Sequence, residues 1–172
     1  MDYVPDSQLG HEDHRPAAKR RSISVVIQNF AAPANVGAVF RSADAFGVTR
    51  VYLCGATVAP PNTKLRRLSR AAEKYVPYEV VADAVAVVKQ LKAEGMQIIS
   101  LEITANSVPL ADVPVGDQPL CLILGTEDEG VAPALLALSD WVVHIPMCGH
   151  NSSLNVGSAC AVALYELAYK AS

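Results

Sequence analysis

Residues 151–166 have the sequence NSSLNVGSACAVALYE, in which a polar start leads into a run of small residues. The small residues predict a helix that another backbone can approach closely. A hydroxyl of Ser152 or Ser153 can cap this helix by accepting a hydrogen bond from a free backbone N–H. The same N–H groups can instead face a polar ligand. This stretch alone leaves the cap and the ligand loop open as alternatives.

Composition is typical of an ordinary globular domain. Of the 172 residues, 51% are hydrophobic and 18% are charged, which predicts a sizeable core. No apolar run reaches the ~18 residues that a membrane helix needs, and the polar N-terminus lacks the apolar core of a secretory signal. We therefore expect a soluble, cytoplasmic protein with no membrane partner, in which residues 1–20 form a flexible lead-in to one domain over residues 21–172.

The cysteines and histidines do not predict a metal site. The four cysteines are Cys54, Cys121, Cys148 and Cys160. They include no C-x-x-C pair, so we expect buried, reduced thiols. His11 and His14 in HEDH could contact a metal, but a solvated tail is the simpler explanation and the one we expect. We predict no bound metal.

Charge is distributed unevenly along the chain. A formal net charge of −3 argues against a strongly basic nucleic-acid binder. Two basic clusters nevertheless occur, and their members are Lys19, Arg20 and Arg21 in the first and Lys64, Arg66, Arg67 and Arg70 in the second. Each cluster can be an ordinary solvated surface, or the two can hold a phosphate backbone locally. Composition leaves both interpretations open.

Strand and helix patterns alternate along the chain. The predicted strands span residues 22–29, 50–55, 76–81, 96–103, 120–125 and 141–147. The predicted helices span residues 35–47, 83–95, 132–139 and 153–169, residues 65–75 form a helix or a helical turn, and residues 107–119 are irregular. Gly47 and Asp83 are expected as helix caps, and Pro77 suggests an edge strand. This alternation predicts an α/β domain with a mostly parallel sheet, in which ligands bind beyond the carboxyl ends of the strands.

Three loops that follow predicted strands carry more polar residues than a turn needs. They span residues 29–41, 125–130 and 145–155. Asn35 stands at a helix entrance, and Arg41 lies on a largely apolar helix, where a lone charge is costly without a partner. Glu127 follows a buried strand almost directly. The chain has no G-x-G-x-x-G, P-loop or G-x-S-x-G motif, which argues against dinucleotide, nucleoside triphosphate and α/β-hydrolase sites.

Three segments together resemble the motifs of the SpoU/TrmH branch of the SPOUT methyltransferases. They are ANVGAVFRSADAFGV, LILGTEDEGV and IPMCGHNSSLNVGSACAVALYE. They occur in the family's order, and AAEKYVPYE (71–79) is similar to its connecting segment. The resemblance spans about residues 22–170, although NVGSA stands where the family often has NVSVA. We expect no long RNA-binding extension of the kind that several members carry.

The resemblance implies a fold and a cofactor. It implies a homodimer whose parallel α/β sheet carries a C-terminal trefoil knot, which general topology rules would not predict. The cofactor would be S-adenosylmethionine, held by the loops at Leu101 and Gly125 and by a third loop. There, Ile145, Met147 and Leu154 would form an apolar slot for adenine. Gly125 would let the backbone approach the ligand closely.

The resemblance also implies 2′-O-methylation of ribose in RNA and a set of catalytic residues. Arg41 matches the family's catalytic arginine, which the family proposal treats as a general base. A phosphate clamp that stabilises the developing alkoxide is physically easier, since arginine essentially never deprotonates. Asn35 and Asn155 match residues that orient the arginine and the substrate. Glu127 matches the motif acid, and Ser153 matches the motif serine, a hydrogen-bond partner of the substrate or of Arg41.

The RNA substrate stays open at this point. A compact chain fits members that modify a tRNA anticodon loop, so tRNA is favoured over rRNA as the RNA partner. A catalytically silent cofactor- or RNA-binding protein on the same fold is a further alternative. An unrelated flavodoxin-like nucleotide binder would need a phosphate cradle, and the sequence contains none.

Overall fold

A parallel sheet organises the computed structural model, which describes residues 11–13, 15, 17–18 and 21–170. The strands are β1 (Ile23–Gln28), β2 (Arg50–Cys54), β3 (Tyr78–Val81), β4 (Gln97–Leu101), β5 (Val108–Pro109), β6 (Leu120–Leu124) and β7 (Trp141–His144). The helices are α1 (Pro33–Ala45), α2 (Thr63–Ser69), α3 (Ala84–Ala93), α4 (Pro133–Leu136) and α5 (Val156–Tyr169). The strand order is β3-β2-β1-β6-β4-β7-β5, and all pairs are parallel. The predicted parallel α/β fold is confirmed.

The central strands β1 and β6 are buried on both faces, as their continuous apolar sequences predict. Successive side chains point to opposite faces. Val25 and Leu122 therefore pack with α1 and α5, whereas Val26 and Ile123 pack with α3 and α4. The two resulting cores pack on both faces of the sheet, so the loops at its carboxyl edge begin from well-packed strands. The trefoil knot stays a prediction.

Two glycines allow helices to pack closely on α1. A Cβ built on Gly157 would lie 2.5 Å from the Cβ of Ala38, so α5 needs a glycine there. A Cβ built on Gly37 would lie 2.9 Å from the Cβ of Leu68 in α2. The predicted close approach of another backbone to the small-residue helix is confirmed, and α1 is the helix that approaches.

Several predicted element ends are confirmed. The side chain of Asp83 caps α3 by accepting from the N–H of Val85 at 2.8 Å and of Ala86 at 3.2 Å. Gly47 directly follows Phe46, the C-cap of α1, and adopts a φ of 64°. Glycine suits this left-handed conformation. Strand β3 lies at the sheet edge, as the proline at position 77 suggests.

Two predictions about local structure were wrong, and a third was right in part. Helix α5 is capped by Asn155 and not by Ser152 or Ser153. The segment predicted as a helix or helical turn over residues 65–75 is divided into α2, which ends at Ser69, and a 3₁₀ turn over Ala72–Lys74, because the two residues between them adopt positive φ angles. The segment predicted as irregular over residues 107–119 includes β5, which pairs with β7. In each case tertiary contacts decide what local propensity leaves undecided.

The expectation of buried thiols is correct for three cysteines and wrong for Cys148, which is exposed. Burial raises the pKa of Cys54 to about 11 and raises the pKa of both Cys121 and Cys160 to about 12. These thiols stay protonated and shielded, and the thiol form is a poor nucleophile.

We therefore expect one of the four thiols, Cys148, to react with a chromogenic disulfide reagent in the native protein at mildly alkaline pH. All four should react after unfolding in guanidinium. The Cys148→Ser variant should lose the native reaction and keep the remaining thiols after unfolding. Rapid native reaction of this variant would contradict the burial of the other cysteines.

Some predictions fall on residues that are not described. The side chains of His11, His14, Lys19 and Arg20 lie outside the described residues, as does most of the lead-in; a short 3₁₀ turn spans His11–Asp13. No described helix is long and apolar enough to cross a membrane. In the same part of the chain, no three His, Cys, Asp or Glu side chains are arranged to hold a metal ion.

Candidate active site

A cavity of about 760 Å³ lies at the carboxyl edge of the sheet. Its walls are the loops after β4, β6 and β7, which are neighbours in the sheet and therefore end side by side. All five residues predicted to bind the cofactor line it: Leu101, Gly125, Ile145, Met147 and Leu154. The volume lies within the range of small-molecule sites in proteins.

The loop after β6 closes tightly on itself. Thr126 and Gly130 form an antiparallel bridge through backbone hydrogen bonds of 3.3 and 3.0 Å. A Cβ built on Gly125 would lie 2.1 Å from the carbonyl carbon of Gly130 and 2.2 Å from the nitrogen of Val131. The structure therefore gives a second reason for this glycine, and the predicted close approach of a ligand stays a prediction. Gly125 is required by the loop's own backbone, whether or not a ligand also approaches it.

Glu102, which the sequence analysis missed, fastens this loop to the end of β4. Its Oε2 accepts a hydrogen bond from the N–H of Val131 at 2.8 Å, and its Oε1 accepts from the N–H of Ile103 at 2.9 Å. Glu102 also lines the cavity. The predicted strand over residues 96–103 placed Glu102 inside a strand, whereas β4 ends at Leu101 and leaves Glu102 at the start of the loop.

Asn155 joins the three predicted loops. Its Nδ2 donates to Glu127 Oε1 at 2.6 Å and to Asn35 Oδ1 at 3.2 Å. Its Oδ1 accepts from the N–H of Gly157 at 3.0 Å and so caps α5. One amide thus fixes the first turn of α1, the loop after β6 and the start of α5 relative to one another. The helix cap is therefore present, at Asn155 and not at a serine, and the ligand loop stays a prediction.

A second cavity of about 410 Å³ lies between the ends of β1 and β6. Asn35 and Phe30 line it from the β1 side, and residues 126–129 line it from the β6 side. The same residues, 126–129, also line the larger cavity. The acidic loop is therefore a shared wall with a cavity on each side.

Ser153 and Arg41 occupy different surroundings. Ser153 is exposed and lines the larger cavity. Arg41 lines neither cavity and forms no ion pair or hydrogen bond with the described residues. It lies six residues after Asn35, which is about 9 Å further along α1 and on another face of the helix. One chain therefore does not bring Arg41 together with the other predicted catalytic residues.

Two contacts along α1 bracket Arg41. Ala38 packs on Gly157, and the ring of Phe46 meets that of Tyr165 at a centroid distance of 6.1 Å. Helices α1 and α5 thus run side by side in the same direction. Arg41 is exposed between these two contacts.

His144 is a further cavity residue that the sequence analysis did not single out. Its Nδ1 lies 2.9 Å from the Oγ of Ser107, and that hydroxyl also accepts from the N–H of Thr104 at 3.1 Å. The pair shapes the loop between β4 and β5. No sequence signal separates this histidine from an ordinary strand residue.

The larger cavity combines apolar walls with acidic groups. Leu101, Ile145 and Leu154 supply apolar surface, whereas Glu102 and Glu127 belong to a set of acids that also includes Asp128 and Glu129. None of the described residues that line it is Lys or Arg. Such a site favours a ligand that has an apolar planar part and a positive charge.

A parallel sheet with this cavity at its carboxyl edge has the architecture of α/β proteins that bind small organic ligands. The sequence model described as "SpoU rRNA Methylase family" matches residues 22–165. The chain belongs to this family, so the predicted membership is confirmed.

Individual relatives agree with this assignment. A tRNA (guanosine(18)-2′-O)-methyltransferase of Escherichia coli strain K12 is 33% identical over 156 residues, covering 87% of this chain and 64% of the relative. The structure of the SpoU methyltransferase AviRb from Streptomyces viridochromogenes, in complex with the cofactor AdoMet, superposes with a TM-score of 0.78 at 26% identity, covering 89% of this chain and 61% of that one.

A third similarity covers nearly all of its counterpart. A structure described by the words "Structural insights into the 2-OH methylation of C/U34 on tRNA" superposes with a TM-score of 0.73 at 25% identity. The match covers 86% of this chain and 95% of that one. By contrast, this chain spans about half to two thirds of the length of the curated relatives that it matches.

Proposed function

We propose that this protein transfers a methyl group from S-adenosylmethionine to a ribose 2′-hydroxyl in RNA. The observation that carries the proposal is the position of Asn155, which links Asn35 and Glu127 beside a cavity of about 760 Å³. The three residues come from three separate segments, and packing alone does not require their polar side chains to meet there. The relative named as a tRNA 2′-O-methyltransferase and the SpoU methyltransferase solved with AdoMet support the proposal.

The residues of the larger cavity fit S-adenosylmethionine. The apolar side chains of Ile145, Met147 and Leu154 suit an adenine ring, and the acids of the β6 loop suit a positively charged ligand. When bound, this cofactor would supply a methyl group on a positively charged sulfur; as the ribose oxygen takes the methyl, the carbon–sulfur bond would break to leave a neutral thioether, and the hydroxyl proton would pass to water. The role of the protein is to hold that nucleophile in line and to stabilise its negative charge.

We propose that the target ribose enters from the side of the second cavity. Asn35 lines that cavity and is held by Asn155, so its amide is fixed for contact with a ribose or its phosphate. Ser153 at the rim of the larger cavity is available for a hydrogen bond to the same nucleotide. Glu127 holds Asn155 in place and is thus a positioning residue.

We assign to Arg41 the phosphate next to the target ribose, where its permanent charge would stabilise the developing alkoxide. The family resemblance implies that Arg41 serves the site of a second copy, and its position outside both cavities of its own chain supports this. We therefore propose a homodimer. An apolar surface supports it: Val162 and Tyr165 on α5 are 44% and 59% exposed, and Tyr165 contacts Phe46, five residues after Arg41.

The homodimer leads to a further prediction. Tyr165→Arg places a charge on the α5 surface and should convert a dimer into a monomer in analytical ultracentrifugation. The same variant should lose methyl transfer and keep its fold by circular dichroism. Tyr75→Arg is the matched control, because Tyr75 is 75% exposed on another part of the chain. A wild-type protein that sediments as a monomer would contradict the dimer.

We further propose that the C-terminal segment forms the trefoil knot. After β7, beyond β4 in the sheet, the chain returns across the loops after β4 and β6 to place α5 on α1. This return path supports the threading that the family resemblance implies.

We propose tRNA as the substrate and the cytoplasm as the place of action. The relative from Escherichia coli is named for tRNA, and so is the structure that matches over 95% of its length. The family description names rRNA, so rRNA is the second candidate.

One experiment tests the function and separates the two substrates. The protein is incubated with S-adenosylmethionine carrying a labelled methyl group and with total tRNA or total rRNA, and ribose methylation is mapped by mass spectrometry. We expect labelled 2′-O-methylribose in tRNA. Labelling of rRNA alone would identify the alternative substrate. Labelling of neither pool, with cofactor binding intact, would favour a silent binding protein and overturn the proposal.

A further inference from the structure

We propose that α2 and the turn after it bind RNA phosphates outside the reacting nucleotide, an inference that rests on the proposed function. The α2 basic surface consists of Lys64, Arg66, Arg67 and Arg70, all of them exposed. Four positive charges within seven residues contrast with a chain whose net charge is −3. A local basic surface on an acidic protein indicates an anionic partner.

These charges are not used inside the molecule. None of the four side chains forms an ion pair or a hydrogen bond with the described part of the chain. The nearby acid Glu73 contacts the hydroxyl of the buried Ser69 instead. Arg21 from the first basic cluster behaves differently, because it donates to the carbonyl of Leu167 at 2.8 Å. The α2 basic surface therefore keeps its full charge for a partner.

The backbone at Arg70 is a second, independent observation. Arg70 and Ala71 adopt φ angles of 53° and 65°, a region that glycine occupies at lower cost. Ser69 braces this turn, since its Oγ accepts from the N–H of Ala71 at 3.2 Å. A glycine at position 70 would relieve strain but would remove the guanidinium. The turn thus has a charged side chain at a position where glycine would give a less strained backbone.

The surface lies beside the proposed active site. Leu65 and Leu68 of α2 pack against α1 at Gly37, where a Cβ would lie 2.9 Å from the Cβ of Leu68 and 3.0 Å from the carbonyl oxygen of Leu65. Gly37 is two residues after Asn35, so α2 flanks the helix that carries both Asn35 and Arg41. An RNA strand that places one ribose at Asn35 therefore has neighbouring phosphates within reach of α2.

Salt dependence of RNA binding tests the inference. Binding of wild-type protein and of the triple variant Arg66→Gln, Arg67→Gln, Arg70→Gln to bulk tRNA and to bulk rRNA is measured by filter retention over a series of salt concentrations. Each lost phosphate contact should reduce the slope of log K against log salt by about 0.7 to 0.9. We expect the triple variant to lose about two units of slope, and its KM for RNA to rise about tenfold or more with kcat unchanged.

Lys89→Gln is the matched control. Lys89 is exposed on α3, which packs on the opposite face of the sheet from α1 and α2. This variant should keep the wild-type slope. The affinity for S-adenosylmethionine should be the same in all three proteins, which shows that the substitutions leave the fold intact.

The outcomes separate the inference from the function beneath it. If the wild type methylates RNA and the triple variant keeps the slope and the KM of Lys89→Gln, the inference is wrong and the function stands. If the wild type binds and methylates neither RNA pool, the proposed function fails and the inference with it. If the triple variant has a lower slope but an unchanged KM for RNA, the phosphate contacts would belong to RNA that is bound but not methylated. That result would also overturn the inference.

Discussion

Arg41→Ala is expected to reduce methyl transfer by about 10³-fold and to leave the affinity for S-adenosylmethionine nearly unchanged. The size of the loss is that of removing one charged group that stabilises a developing anion. Cofactor affinity should survive because Arg41 does not line the larger cavity and holds none of its residues. Single-turnover transfer to the identified RNA measures the first quantity, and calorimetry with the cofactor measures the second.

Two further variants refine this prediction. Arg41→Lys keeps the charge but loses the planar pair of donors that suits a phosphate, so it should recover only part of the activity. Lys89→Ala removes an exposed charge on the other side of the sheet and should retain full activity. Equal losses of transfer and cofactor affinity in Arg41→Ala would mean that this arginine is structural.

A subunit-mixing experiment tests whether Arg41 acts across the dimer. Arg41→Ala is mixed with Gly125→Ala, which retains Arg41 but should not bind the cofactor. After equal amounts exchange subunits, half of all dimers are mixed dimers. If each arginine serves the opposite cavity, every mixed dimer has one complete site of its two, so activity should return to about a quarter of the wild-type value. If the arginine serves its own chain, no mixed dimer has a complete site. The absence of any recovery in dimers that exchange would then exclude the arrangement proposed here.

The sheet could be predicted from the sequence because its signals are local. The apolar runs at 22–29 and 120–125 are long enough to identify buried strands, and Asp83 and Gly47 mark helix ends. The order of the strands is a different matter. The placement of β6 between β1 and β4 depends on contacts between segments that are far apart in the chain, so no local pattern contains it.

The same distinction applies to the site. The three polar loops could be found because they carry more polar residues than a turn needs, and the family resemblance supplied the roles. The pairing of Asn155 with both Asn35 and Glu127 could not be predicted, since it joins residues that are 120 and 28 positions apart. Glu102 was missed for a related reason. Its importance comes from the N–H of Val131, which only the folded chain brings near.

Gly125→Ala is expected to weaken the binding of S-adenosylmethionine by roughly a hundredfold, the size of a severe overpacking penalty. The added methyl would overlap the backbone of Gly130 and Val131, at 2.1 and 2.2 Å, and backbone cannot rotate aside as a side chain can. The loop must then open, which breaks the bridge between Thr126 and Gly130 and moves the Val131 N–H away from Glu102. Both sides of the shared wall between the two cavities would shift.

Gly149→Ala distinguishes this mechanism from a general intolerance of alanine near the site. Gly149 lies in the third loop, and a Cβ built on it meets no atom within 4 Å. The Gly149→Ala variant should therefore bind the cofactor like the wild type in calorimetry, whereas Gly125→Ala should bind it more weakly. Because the cores on both faces of the sheet are untouched, both variants should remain folded. Wild-type affinity in Gly125→Ala would mean that the loop after β6 is not part of the cofactor site.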